Sequence, residues 1–333
     1  IGKSTLIEKF AGGTGHFYEF QGLAPHEGMT VHDQLRNFSE QFSRRFNLPA
    51  LAPLADWSSA FSLLARYNAK GRVVILLDEI SWMASGDKNF AGKLKIAWDT
   101  EFKKNPKLLL VLCGSVTSWI DDNILGSAAF VGRVSLKLTL EELPLHHCQE
   151  FWGKKKDRVS LFEKLQLLCV TGGIPRYLEE IRPELSSEEN IRRLCFSPTG
   201  LLFSEFDDIF SDVFSKRHAL YRQIVRTLVS GKKSFREICR ELKRDDNGVM
   251  SGYLHHLVES GFIAKEPVFD LSGKNGKLSR YRLKDNYLRF YLKYVEPVKD
   301  KIAAGLYEYK TLDRLPEWDI IMGFSFENLV LNN

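Results

Sequence analysis

The residues best suited to phosphate chemistry stand at the start of the chain, where Gly2, Lys3, Ser4 and Thr5 precede an apolar, helix-like run. This order is typical of the closing half of a P-loop, in which backbone N–H groups and a helix N-terminus bind phosphates. The lysine of such a loop reaches the β- and γ-phosphates, and the serine hydroxyl binds Mg²⁺. The opening glycine of G-x-x-x-x-G-K-[ST] would precede the first residue given. Alone, the motif is weak evidence for a P-loop, because similar tripeptides begin ordinary helices.

A second group with chemical potential is the acid pair Asp78-Glu79, which ends an apolar run beginning at Arg72. Such a run is typical of a strand buried on both faces of a parallel sheet. Open α/β sheets bind ligands at the carboxyl ends of their strands. Asp78 is therefore predicted to hold Mg²⁺, and Glu79 to orient and deprotonate the attacking water. The alternative is a buried strand that meets solvent in an acidic turn. Together with Lys3 and Ser4, the pair indicates a nucleotide hydrolase.

Two further residues, Ser115 and Arg133, each have two alternative roles. Ser115 ends the apolar run that begins at Lys107, where its hydroxyl either binds the γ-phosphate or the lytic water, or caps a helix. Arg133 precedes a predicted strand, 134–140. Its guanidinium either approaches a γ-phosphate, as an arginine finger does, or forms an ordinary surface salt bridge, which the residues alone favour.

The elements that must position these residues alternate between strands and helices. Strands are predicted over 16–20, 72–79, 107–115 and 134–140, and helices over 31–46, 57–69 and 91–103. This alternation predicts a doubly wound α/β sheet. The following helical region, 143–206, is predicted to form a lid. Its Gly-Gly-Ile-Pro-Arg-Tyr stretch, 172–177, either contacts the nucleotide base or only punctuates a loop.

The order of these motifs resembles the prokaryotic ATPases first catalogued in archaea, which are STAND-type members of the AAA+ superfamily. The motifs that carry the resemblance are Gly-Lys-Ser-Thr (2–5), Val-Ile-Leu-Leu-Asp-Glu (74–79), Cys-Gly-Ser (113–115), Gly-Arg (132–133), Leu-Pro-Leu (143–145) and Gly-Gly-Ile-Pro-Arg-Tyr (172–177). The resemblance implies ATP and Mg²⁺ as cofactors, Ser115 as the sensor, and Pro175 and Arg176 against the nucleotide. Arg133 and Arg176 both match family arginines, which leaves open which one senses the γ-phosphate.

One segment of the chain is strongly basic, and the remainder is mildly acidic. Between residues 216 and 301 it carries 20 Lys and Arg against 10 Asp and Glu, or +10, and the remainder carries 27 against 32, or −5. Three short helical patterns, followed by strand patterns flanking Gly273-Lys-Asn-Gly276, predict a winged helix. DNA is therefore a candidate partner. The predicted recognition helix, 249–260, has no Lys or Arg, which favours an intramolecular or oligomer-contact role.

Length and composition limit the remaining possibilities. The chain of 333 residues is divided into an NTPase core (1–142), a helical lid (143–206), a winged helix (207–295), and a linker with the start of a further domain (296–333). The resemblance places a restriction-endonuclease-like domain there. Five scattered cysteines indicate thiols in a reducing cytoplasm. No apolar run is long enough to span a membrane, and no signal peptide is expected.

These observations lead to two hypotheses from different classes. The main one is a Mg²⁺-dependent regulatory ATPase, in which the nucleotide state is coupled to a winged helix. A homo-oligomer is a candidate output of that coupling. The rival is a DNA-binding regulator with a degenerate nucleotide pocket. Release of phosphate, measured beside DNA binding, separates them.

Overall fold

The computed structural model describes residues 2–13, 15–24, 26, 28–114, 117–214, 218–269 and 275–332. The chain forms two compact units, Ile1–Leu140 and Glu141–Asn333. The finer, four-part division of the chain stays a prediction. None of the described helices has the length and apolar character that a membrane span requires.

The first unit is built on a parallel sheet in the order β1-β2-β3. Its strands are β1 (His16–Gln21), β2 (Val73–Asp78) and β3 (Leu108–Leu112). Its helices are α1 (Lys3–Ala11), α2 (Val31–Arg45), α3 (Trp57–Tyr67), α4 (Ile80–Met83), α5 (Phe90–Thr100) and α6 (Thr117–Ile120), with short 3₁₀ or π turns at Phe102–Lys104, Asp121–Leu125 and Ala128–Phe130.

Burial explains why β2 occupies the centre of this sheet. All six of its residues are buried, as predicted for a strand that is covered on both faces. On one face, Ile75 and Leu77 pack into an aromatic core that includes Phe38 and Trp57. The predicted helix boundaries hold within a few residues. Asp56 caps α3 by accepting a hydrogen bond from the Ser59 N–H.

One predicted strand is wrong. Residues 134–140 have no regular secondary structure, and Leu136 and Leu138 are 77% and 63% exposed. A strand exists only where a neighbouring strand completes its hydrogen-bond ladder. In the described structure this segment pairs with no other strand, and an alternating apolar pattern cannot indicate whether a partner strand is present.

The second unit is mainly helical. Its helices are α7 (Leu145–Cys148), α8 (Leu161–Thr171), α9 (Pro175–Glu179), α10 (Ser187–Cys195), α11 (Leu201–Phe214), α12 (His218–Thr227), α13 (Phe235–Glu241), α14 (Gly248–Glu259), α15 (Asn286–Phe290), α16 (Lys299–Ala303) and α17 (Trp318–Leu331), with 3₁₀ or π turns at Gln149–Lys155, Tyr291–Val295, Glu296–Val298 and Leu312–Arg314. Strands β4 (Lys233–Ser234), β5 (Ile263–Phe269) and β6 (Asn275–Leu283) form an antiparallel sheet in the order β4-β6-β5.

A single core joins the helices of this unit. It extends without interruption from Cys148 through Leu254 on α14 to Leu329 on α17. The C-terminal helix α17 packs against α8 and α15. Glu327 on α17 pairs with Lys232 at 2.9 Å, and its side chain is 40% exposed.

Candidate functional site

The contact that organises the site joins residues 74 positions apart. The Ser4 hydroxyl on α1 donates a hydrogen bond of 2.6 Å to Asp78 Oδ2 at the end of β2. The other oxygen of this carboxylate, Oδ1, accepts the Glu79 N–H at 3.0 Å. Asp78 is 5% exposed. The fold therefore brings the turn before α1 to the carboxyl end of the central strand, where α/β sheets bind ligands.

The backbone before α1 has the form that an anion site needs. Gly2 lies in the left-handed region with φ 82° and leads directly into the helix. The first bond within the helix runs from the Leu6 N–H to the Gly2 carbonyl at 2.9 Å. The N–H groups of Lys3, Ser4 and Thr5 precede it, so they have no acceptor within the helix and add to its positive end.

Glu79 has an unusual backbone. Its φ of 49° and ψ of 50° place a non-glycine residue in the left-handed region, at the start of α4. The surroundings fix this conformation, because the Glu79 carbonyl accepts the Trp82 N–H at 2.9 Å and the Ile80 N–H donates to the Cys113 carbonyl at 2.9 Å. The Glu79 side chain is half-buried beside Asp78.

Gly22, which follows β1, is packed closely against this turn. A Cβ at Gly22 would lie 2.7 Å from the Glu79 carbonyl oxygen and 2.9 Å from the Met83 nitrogen. The Gly22 N–H also donates to the Asp78 carbonyl at 3.0 Å. Only glycine therefore lets the end of β1 approach the acid pair so closely.

Sequence reasoning missed two residues that lie near Asp78. Cys113 directly follows β3, and burial first and the Asp78 carboxylate second raise the pKa of its thiol to about 11. Burial first and Asp78 second raise the pKa of Glu19 on β1, while Arg45 opposes the shift. The Cys-Gly-Ser pattern marks the end of β3, but it does not indicate that Cys113 lies beside the acid pair.

The remaining predicted site residues are Arg133, Pro175, Arg176 and Ser115. Arg133 makes a bidentate ion pair with Asp99 on α5, at 2.9 Å from Nε and 2.8 Å from Nη2, as the salt-bridge alternative proposes. This pairing raises the pKa of Arg133. Pro175 and Arg176 open α9 in the second unit, and Arg176 is exposed. Ser115 lies outside the described residues, so both of its predicted roles stay predictions.

The turn that carries Pro175 is fixed within its own unit. The Gly173 N–H donates to Glu142 Oε2 at 3.0 Å, and the Leu143 N–H donates to the Gly173 carbonyl at 2.8 Å. A Cβ at Gly172 would lie 2.8 Å from the same Glu142 oxygen. Gly172 itself has a left-handed φ of 59°, and a Cβ at Gly173 would lie 2.4 Å from the Leu143 carbonyl oxygen. The backbone conformation at Gly172 and the close backbone contact at Gly173 therefore favour glycine, and the predicted contact of this turn with a nucleotide base stays a prediction.

The oxygen groups at this site match the chemistry of Mg²⁺. A serine hydroxyl and a carboxylate are hard ligands, and Mg²⁺ at nucleotide sites takes few protein ligands beside phosphates and water. Among the described residues no cluster of three or more His, Cys, Asp or Glu side chains forms an all-protein metal site. Ser4 and Asp78 therefore suit a magnesium–phosphate complex better than a transition metal.

Comparison with known proteins gives the fold a precedent. No model of a protein family matches the chain. An uncharacterized protein of Methanocaldococcus jannaschii, MJECL04, is 26% identical over 99% of this chain and 69% of its own length. Among solved structures, the Walker-type ATPase PABY2304 of Pyrococcus abyssi superposes with a TM-score of 0.60 at 16% identity, over 87% of each chain. The chain therefore has the fold of a Walker-type ATPase.

A more distant match is the ORC2 protein of Aeropyrum pernix in its ADP form, with a TM-score of 0.37 at 14% identity, over 92% of this chain and 86% of that one. At that TM-score the likeness adds nothing to the assignment of the fold.

Proposed function

We propose that this protein binds and hydrolyses ATP with Mg²⁺, as a regulatory ATPase of the AAA+ superfamily and of its STAND class. The observation that carries the proposal is the 2.6 Å hydrogen bond between Ser4 and Asp78. This bond brings the N-terminus of α1, with its lysine and serine, to the acid pair at the end of β2. These are the groups that phosphoryl transfer to water requires. The P. abyssi structure supports the fold on which this rests.

Each residue has a defined task in this mechanism. Ser4 and Asp78 would hold Mg²⁺, which when bound neutralises phosphate charge. Lys3 and the backbone N–H groups that follow it bind the phosphate oxygens. Glu79, fixed by its left-handed backbone, accepts a proton from water and orients that water for in-line attack. Arg133 is a candidate for the γ-phosphate only if it leaves Asp99.

The decisive experiment is the substitution Glu79→Gln in the full chain. The amide keeps the size of the side chain but cannot accept the proton, so we expect ATP hydrolysis to fall by about 10²-fold or more. ATP binding, measured by equilibrium dialysis, should stay within about threefold of the wild type.

The matched control is Glu308→Gln, which makes the same change at an exposed acid of the second unit. It should leave both measurements unaltered. Unchanged hydrolysis in Glu79→Gln would remove Glu79 from its role. Failure of the unaltered protein to bind ATP would refute the proposed function itself.

We further propose that the second unit contains a winged helix, residues 207–295, whose state follows that of the nucleotide. Helices α12, α13 and α14 support this, with β4 between α12 and α13 and the β5–β6 pair after α14, since this is the order of a winged helix. Helix α14 holds the position of a recognition helix, and its exposed residues include Ser251 and His255 but no Lys or Arg.

The rival function, DNA binding that is independent of nucleotide, draws support from exposed basic residues beside α14. Arg236 on α13 is 84% exposed at its side chain and pairs with Asp246 only at 3.6 Å. Exposed arginines of this kind would bind DNA phosphates, so DNA binding would show little sequence preference and a steep dependence on salt. Gel shifts between 50 and 200 mM salt, with and without ATP, test this. DNA binding that ignores ATP, without phosphate release, would favour the rival.

A further inference from the structure

We propose that a cleft along the outer edge of β1 binds a doubly charged, phosphate-type oxyanion, as a site separate from the Ser4–Asp78 site. The cleft has a volume of about 490 Å³ and lies between the end of β1 and helix α2. Its lining consists of backbone and amide groups with two guanidiniums, and comprises Gln21, Gly22, Leu23, Asn37, Gln41, Arg44 and Arg45. No acidic side chain is among these described lining residues.

The wall of the cleft is fixed by amides of α2. The Gln41 side chain accepts the Gln21 N–H at 2.9 Å and donates to the Gln21 carbonyl at 2.8 Å. The Asn37 side chain donates to the same carbonyl at 2.8 Å. These bonds occupy the edge of β1 at this point, as a neighbouring strand would. The wall of the cleft is therefore held in place by these hydrogen bonds, and a ligand can bind there without displacing a neighbouring strand from β1.

The charge of the cleft comes from Arg44 and Arg45, whose contacts in the described structure are long. Arg44 Nε lies 3.4 Å from the Glu40 carbonyl, and Arg45 lies 3.9 Å from the Glu19 carboxylate. Arg36, on the same helix, is instead engaged by Asp33 at 2.8 Å. Each guanidinium has five N–H donors in a planar fork that fits phosphate oxygens. Two adjacent forks match an oxyanion of charge −2.

The floor of the cleft connects it to the acid pair. Gly22 lines the cleft, donates its N–H to the Asp78 carbonyl and lies directly against the Glu79 carbonyl. An occupant would therefore contact the same backbone that fixes the conformation of Glu79. The site does not depend on the proposed ATPase, because Lys3 and Ser4 are not among its lining residues.

The test is calorimetric titration of pyrophosphate into the full chain carrying Lys3→Ala, which weakens phosphate binding at the other site. We expect saturable binding that Arg44→Gln combined with Arg45→Gln weakens at least tenfold. Arg36→Gln, a matched control on the same helix, should change the affinity less than twofold. Circular dichroism checks that the double variant is folded, and Arg44→Lys with Arg45→Lys should retain part of the affinity, since charge remains but the fork is lost.

Equal affinity in the double glutamine variant, or an equal loss in Arg36→Gln, would overturn the proposal. Competition then identifies the source of the phosphate group. Displacement of pyrophosphate by single-stranded DNA, whose phosphodiesters each carry one charge, would overturn the assignment to a doubly charged oxyanion, and the absence of displacement would support a free phosphate compound. Binding of an acidic peptide in place of pyrophosphate would overturn the assignment to phosphate. Failure of ATP hydrolysis would leave all of these results unaffected.

Discussion

In the first unit the buried charged side chain among the described residues is Asp78, at the end of a strand, whereas in the second unit Arg282, Asp285 and Arg289 are buried within a helical core. Asp78 faces a helix N-terminus through a hydroxyl. The two terminal nitrogens of Arg289 donate to carbonyls of its own unit, at 2.5 Å to Val229 and 2.8 Å to Leu283, while its buried Nε has no partner in the described structure. Burial alone therefore does not identify a functional charge.

The partners of a buried charge distinguish the two cases. A charge enclosed by protein carbonyls has a structural role, because its removal takes hydrogen-bond donors away from buried acceptors. A charge at a strand end, beside free helix N–H groups, has partners that a ligand can share. Three substitutions test this contrast.

The largest effect is expected at Arg289. Arg289→Ala would remove the guanidinium donor from the Val229 carbonyl and one donor from the Leu283 carbonyl, which Asn328 also binds. It would also open a cavity and remove the cation–π contact with Phe324, whose ring centre lies 5.0 Å away. We expect a loss of about 3–5 kcal/mol in the stability of the second unit, measured by hydrogen exchange at α15. Arg236→Ala, at an exposed arginine, is the control and should cost less than about 0.5 kcal/mol. Equal effects would contradict a structural role for Arg289.

The next effect concerns pH. Burial first, and then the nearby Glu142, raise the pKa of Asp285 from 3.8 to about 7. Between these values the folded unit keeps a proton that the unfolded chain has lost. The stability of the second unit should therefore fall as pH rises from about 4 to about 7, by up to about 4 kcal/mol, and level off above.

Asp285→Asn keeps an oxygen that can accept the Leu288 N–H, which now lies 2.8 Å from the carboxylate, and should flatten this profile. Asp300→Asn, an exposed change on α16, should not. Other titratable groups act on Asp285 or lie beside its neighbours, among them Glu205 and Tyr177. A wild-type profile that is already flat between pH 5 and 7 would refute the predicted protonation of Asp285.

The smallest effect is expected at Gly22 in the first unit. Gly22→Ala places a methyl group against backbone atoms of Glu79 and Met83, which cannot move without disturbing α4. We expect a loss of about 1–3 kcal/mol, measured by hydrogen exchange in β2. Gly92→Ala lies in α5 with no atom within 4 Å of the new Cβ and should stabilise that helix by about 0.5–1 kcal/mol. If both variants behave alike, the close approach at Gly22 is not a constraint.

Sequence patterns predicted the first unit more fully than the second, because the elements of the first unit depend mainly on residues that are close together in the sequence. The buried run of β2 and the helix after Lys3 each depend on neighbouring residues, and the structure confirms these elements. The failed strand at 134–140 depended on a partner that no local pattern names. In the second unit, Asp285 and Arg289 looked like ordinary helix residues, since their burial comes from segments far along the chain.

The sequence by itself determined which residues could bind phosphate and metal, because glycine, lysine, serine and paired acids in this order are a matter of residue type and spacing. Tertiary structure alone decided that Ser4 meets Asp78, that Arg133 is paired with Asp99, and that Cys113 and Gly22 lie against the acid pair. The reason is that these contacts depend on how parallel strands stack side by side, and strand order is set by long-range packing that spacing along the chain does not encode.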